Sequence, residues 1–121
     1  MERFLKSGSG WRVGWRLAPA PYQGLVGTDE WAIELTAAEF EDFCRLSEQL
    51  AQTMGAMSQQ LMVEEAIAVE AHSDRLWLEA EGYPHAYSLR FILQSGRNVE
   101  GSWSAAVVPE LLQALRSIQV W

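Results

Sequence analysis

The hydrophobic period of this chain changes three times, and no other feature limits its fold so closely. Trp11, Val13, Trp15 and Leu17 alternate with Arg12, Gly14 and Arg16. That is the period of two that a half-buried strand requires. Trp31, Ile33 and Leu35 repeat it, with Glu30 and Glu34 on the opposite face. The period then lengthens. Phe40, Phe43, Cys44, Leu46, Leu50, Met54, Met57 and Leu61 recur at helical spacing. From residue 65 it returns to two, through Ile67, Val69 and Ala71, then Leu76, Leu78 and Ala80, then Tyr87, Leu89, Phe91 and Leu93, with a last strand over 98–103. Val108, Leu111, Leu112, Leu115 and Ile118 form a second helical stripe, and the apolar Val120 and Trp121 are expected to dock.

The punctuation supports these periods. Thr36-Ala37-Ala38-Glu39 is a capping box, in which the Thr36 hydroxyl accepts the Glu39 amide and the Glu39 carboxylate reaches back to the Thr36 amide. Leu35 before the cap and Phe40 after it make a hydrophobic staple. A helix over about 37–60 follows; Gly55 weakens its last turns, and Glu39, Glu41 and Asp42 suit the positive end of its dipole. Residues 7–10, Ser-Gly-Ser-Gly, read as a flexible connector or turn, and residues 18–28, with Pro19 and Pro21, as a loop or short edge piece. Ser73-Asp74, Gly82 to His85 and Gln94 to Arg97 are tight turns. Strands linked this closely form an antiparallel meander rather than βαβ units. Ser104-Ala105-Ala106 is expected to open the second helix, where Pro109 is tolerated within the first turn.

The two strand-to-helix junctions echo each other. Leu35-Thr36-Ala37-Ala38 matches Trp103-Ser104-Ala105-Ala106, and Phe40, Phe43 and Cys44 align with Val108, Leu111 and Leu112. Two ordinary helix starts would give the same match. As a repeat it predicts a tandem of strands followed by a helix, with halves of roughly 1–61 and 62–121 in one domain of 121 residues. The expected fold class is α+β, with two helices against one face of an antiparallel sheet.

Charge narrows the function. The net charge is -7, yet it is unevenly spread. Residues 1–16 carry a net +3, residues 29–81 a net -11, and residues 82–121 a net +1. An acidic total opposes non-specific binding to nucleic acid, which depends on Lys and Arg. All the bases but Lys6 are Arg, which suits fixed ion pairs. One Cys excludes an intrachain disulfide framework. No apolar run approaches the ~18 residues of a membrane span. The N-terminus lacks the apolar centre of a secretory signal, so the expected address is cytoplasmic.

The stretches Lys6 to Gly8, Gly10 to Trp15, Gly24 to Gly27, Glu30 to Thr36, Phe40 with Asp42-Phe43, Leu76 to Glu81 and Tyr87 to Leu93 carry a resemblance. Through them the chain resembles a family of small cyanobacterial proteins of unknown function. The resemblance implies the fold class of the Whirly proteins and the positive-cofactor-type transcriptional coactivators, in which a sheet surface binds single-stranded DNA. This chain departs from those proteins in its acidity and its near absence of Lys, so no site is carried over.

The residues themselves offer one candidate surface. Arg12, Arg16 and Arg90 share outward strand positions, and Trp77 lies opposite Leu76 and Leu78 beside Glu79 and Glu81. If one sheet face is open, these four form a platform of rings and cations of the kind single strands use. Cross-strand Arg–Glu pairing, with Trp as cover, is the plainer reading. A protein partner on the same face is the third, because Trp and Arg are common interface anchors. His72 and His85 sit at turns outside any ligand spacing, so no metal site is expected. Cys44 falls on the apolar helix stripe as a small hydrophobe. Glu79 and Glu81 on one strand face are a solvated edge before they are an acid–base pair. No catalytic set and no cofactor are expected. The reading is a non-enzymatic binding or regulatory protein with a protein partner favoured, self-association open, and single-stranded nucleic acid or an unrecognised enzyme as the alternatives.

Overall fold

The computed structural model describes residues 3–16, 21–59, 65–94 and 96–118. Leu17, Pro19, Leu61, Ser95, Val120 and Trp121, named above, lie outside the described residues. In chain order the elements are β1 (Arg3–Gly8), β2 (Trp11–Arg16), β3 (Gly24–Gly27), β4 (Ala32–Leu35), α1 (Ala37–Met57), β5 (Ile67–His72), β6 (Leu76–Tyr83), β7 (Ala86–Leu93), β8 (Glu100–Trp103) and α2 (Val108–Ile118). The strands form two antiparallel four-stranded meanders, β1 to β4 and β5 to β8, each in sequence order.

The α+β class and the strands-then-helix order therefore stand, but the expected build is corrected. There are two sheets, not one, and the helices do not share a single sheet face. Helix α1 follows the first sheet in sequence, yet it packs mainly on β5 and β6 of the second. Helix α2 follows the second sheet and packs mainly on β2 and β1 of the first. A four-stranded sheet with one apolar face must bury that face. Each half here does so largely beneath the helix of the other. Arg116 of α2 pairs with Glu48 of α1 at 2.6 Å across the helix contact.

One core unites the halves. Trp11, Val13, Trp15 and Val26 from the first sheet join Leu76, Leu78, Leu89 and Phe91 from the second, with Phe40, Phe43 and Leu50 of α1 and Leu111, Leu115 and Ile118 of α2. At the seam, Trp103 packs on Trp31 at 5.3 Å and on Phe43 and Phe91 at 5.6 Å each. Its indole Nε1–H donates to the Gly27 carbonyl of the first sheet at 2.9 Å. A buried Trp needs such an acceptor.

Two strands escaped the periodicity. The N-terminal segment is β1, although Phe4 and Leu5 are adjacent apolar residues and Lys6 takes a half-buried place in register with Val13. The Lys6 Nζ donates to Ser117 of α2 at 2.9 Å. Ser7 and Gly8 belong to β1, leaving Ser9 and Gly10 as the turn, with Gly10 at φ 88°. The segment expected as a loop or short edge piece contains β3, an inner strand of the first sheet whose two glycines disguise it. A Cβ on Gly24 would stand 2.6 Å from the Phe40 ring, so glycine there lets α1 settle on the sheet.

The capping box forms as expected. The Thr36 hydroxyl accepts the Glu39 amide at 3.2 Å, and Glu39 Oε1 accepts the Thr36 amide at 2.9 Å. The echo at Ser104 is only partial. Residues 104–107 close a tight turn, with the Val107 amide on the Ser104 carbonyl at 2.9 Å. The helix proper starts later, at Val108, with Pro109 in its first turn, where a missing amide costs nothing.

Candidate functional site

Strand register decides which side chains share a surface. On the outer face of the first sheet, Ser7, Arg12, Gly27 and Ala32 form one cross-strand row, and Leu5, Gly14, Leu25 and Glu34 the next. On the outer face of the second sheet the rows are Ala68–Glu81–Ser88, Glu70–Glu79–Arg90–Ser102 and His72–Trp77–Ile92–Glu100. The four candidate residues thus divide between two sheets. Arg12 and Arg16 stand on one, Trp77 and Arg90 on the other.

Arg12 is committed to its own fold. Its Nε donates to the Thr28 carbonyl at 2.6 Å and its Nη2 to the Trp31 carbonyl at 3.0 Å, which latches the β3–β4 turn. Arg16 is looser, 4.0 Å from Glu34 and 3.4 Å from the Tyr22 carbonyl. A groove of ≈ 130 Å³ runs beside Arg16, Leu5 and Glu34. That is below the ~300 Å³ at which small-molecule sites begin.

Trp77 and Arg90 do meet. The Arg90 guanidinium lies 4.9 Å from the Trp77 ring centroid, a cation–π contact, and Arg90 Nη2 pairs with Glu79 at 3.5 Å. Trp77 and Ile92 are directly opposite and both half-buried, so an apolar patch lies on the two inner strands, in the end row of a mostly polar sheet face. Glu100 shares its row, Glu70 and Glu79 stand in the next and Glu81 in the one after, with Arg90 as the one Arg on these rows. Glu70 and Glu79 face each other across the β5–β6 ladder, a like-charge pair that costs stability. Beyond Ser102 an open groove of ≈ 550 Å³ continues, walled by Trp31 and rimmed by Asp29 and Glu30. Ile92, Glu70 and Glu100 are not among the residues that the sequence offers for this surface. Their outward parity was readable, but their shared rows need the register.

The remaining chemistry is structural. Asp42, on α1, accepts from the Ser73 hydroxyl at 2.7 Å, Arg75 at 3.2 Å and Arg45 at 3.3 Å. Burial alone would raise its carboxyl, but the hydrogen bonds from Ser73, Arg75 and Arg45 and the charge of Arg75 outweigh that and hold it below 3.8. A depressed native pKa gives stability that is present above the unfolded pKa and lost as pH falls through the native one. Urea midpoints of the wild type should therefore fall more steeply than those of Asp42→Asn below about pH 4. Parallel curves would show that Asp42 contributes nothing. Cys44 is buried, and burial, then the nearby Glu41 charge, push its thiol up to about 12, so it stays a neutral thiol. Among the described residues no group of three His, Cys, Asp or Glu stands together as metal ligands would. No helix among them is long and apolar enough to cross a membrane.

Comparison with known proteins gives a family and a fold. The model of a domain of unknown function, DUF1818, matches residues 6–118. The chain superposes on the crystal structure of a protein of unknown function from the DUF155 family of Prochlorococcus sp. NATL2A with a TM-score of 0.89. The two are 27% identical, over 95% of this chain and 98% of that one. No curated protein matches. The expected Whirly or coactivator-type fold is corrected accordingly. That expectation came from the resemblance of short stretches of sequence, which leaves the packing open; superposition reads the packing, and it assigns the fold of the DUF155 protein.

Proposed function

Because the chain belongs to the DUF1818 family, described as a domain of unknown function, we propose its role from its own geometry: it is a non-enzymatic binding module that docks a protein partner on the outer face of its second sheet. One observation carries this reading. The Trp77–Ile92 pair places part-exposed apolar surface on the two inner strands of a sheet face that is otherwise mostly polar, in the row nearest the Ser73–Asp74 turn. An aromatic anchor ringed by polar groups is the usual composition of an interaction hot spot. The first sheet offers less, since Arg12 is consumed by backbone carbonyls and Arg16 holds loose surface contacts.

The test is photo-crosslinking in native cell extract, with and without nuclease. Benzoylphenylalanine replaces Ser102 on the proposed face and, as a control, Ser7 on the outer face of the first sheet. The expected product is a protein adduct from position 102 that is absent from position 7 and lost in Trp77→Ala. An adduct from position 7 alone, one that nuclease removes, or one indifferent to Trp77→Ala would overturn the proposal.

A further inference from the structure

Resting on that reading, we infer that the occupant of this face is a basic, extended segment of the partner protein. The charge pattern selects the chemistry. Glu70, Glu79, Glu81 and Glu100 stand on the outward rows, while Arg90 is held between Glu79 and the Trp77 ring. A ligand approaching Trp77 and Ile92 therefore meets the carboxylates of Glu100 in their own row and Glu70 in the next, neither of them held by Arg90. Lys or Arg side chains would neutralise them, and interleaved apolar side chains would cover Trp77 and Ile92.

The acidic path also has a direction. Ser102 ends the row of Arg90 and lines the groove whose rim holds Asp29 and Glu30. Trp31, half-buried in that groove, supplies a second ring against which a cation can lie. The face and the groove thus meet at Ser102 and are both mainly acidic, with Arg90 the one Arg between them. Four strands span about 14 Å at their usual spacing, which roughly five extended residues cover. A second copy of this chain is disfavoured there, because face-to-face packing sets carboxylates against carboxylates. Nucleic acid is disfavoured for the same reason.

Glu70 provides a variant whose two effects have opposite signs. Glu70→Lys turns the like-charge pair with Glu79 into an attractive one, so it should raise the urea midpoint. It also places a cation in the path of the basic segment. Binding is read by fluorescence anisotropy with three labelled probes: an alternating Lys-Leu peptide, an alternating Glu-Leu peptide and a single-stranded oligo-dT. The wild type should bind the Lys-Leu peptide and neither of the others. Glu70→Lys should weaken that binding roughly tenfold while being more stable, which no folding defect can mimic. Equal binding of the two peptides, binding of the oligonucleotide, or unchanged affinity in Glu70→Lys would overturn the inference. The crosslinking arm separates the two levels. A Trp77-dependent adduct that persists in Glu70→Lys retires the basic segment and leaves the docking face standing. Loss of Trp77 dependence retires the face itself.

Discussion

Trp103→Ala is expected to lower the unfolding free energy by about 3–5 kcal/mol, the usual range for deleting a buried Trp or Phe. The residue is 2% exposed and touches Trp31, Phe43 and Phe91 at the seam between the sheets. Its removal opens a cavity in the core that both halves share, and it orphans the Gly27 carbonyl that the indole serves. Trp103→Phe separates the two contributions. It keeps a ring in place but leaves that acceptor unmet, at a cost of roughly 1–3 kcal/mol. Urea unfolding followed by far-UV circular dichroism measures both. If Trp103→Ala lost less than about 1 kcal/mol, the halves would not depend on a common core.

Glu39→Ala should lose about 2–4 kcal/mol, because one carboxylate serves two structures. Glu39 Oε1 completes the capping box at the Thr36 amide and also accepts from Arg97 Nη2 at 2.5 Å. Arg97 comes from the β7–β8 hairpin of the other half. It donates as well to the Glu34 carbonyl at 2.8 Å and lies 4.8 Å from the centroid of the Tyr22 ring. The carboxylate side chain is 5% exposed, so its pairing is shielded from solvent. Glu39→Gln keeps an acceptor for the cap and gives up the charge, so it should lose only about 1 kcal/mol. A double-mutant cycle with Arg97→Ala should return a coupling of roughly 0.5–3 kcal/mol. A coupling near zero would mean that the Arg97 pairing adds nothing to the cap.

These two residues also show what sequence could convey. The cap at Thr36 was readable because its partners are neighbours in the chain, and the structure forms both of its hydrogen bonds. The Arg97 contact was not readable, because its partner is 58 residues away. Strands β5, β6 and β7 declared themselves by strict alternation. Strand β3 was hidden because Gly24 and Gly27, which read as loop, are there to admit the Phe40 ring and the backbone of β4. Strand β1 was hidden because Lys6 occupies an inward position and bonds across to α2. The exchange of helices between sheets leaves no local mark at all, since an amphipathic stripe says that a helix is covered and not by what.

The candidate surface was legible in the same partial way. Trp77 and Arg90 were chosen from outward parity, and they do touch. Arg12 and Arg16 share that parity but belong to another sheet, a fact that only the pairing of strands supplies. Chain-wide acidity pointed away from nucleic acid, and the rows of the second sheet set four glutamates on the face that carries Trp77 and Ile92.

The central claim is that the outer face of the second sheet is the working surface. Backbone amide and indole chemical shifts of the isotope-labelled protein, recorded with the Lys-Leu peptide and separately with oligo-dT, test it residue by residue. Shifts are expected at Glu70, Trp77, Arg90, Ile92, Glu100 and Ser102 with the peptide, and none with the oligonucleotide. Shifts centred on Arg12 and Arg16, or a response to oligo-dT at either face, would contradict it.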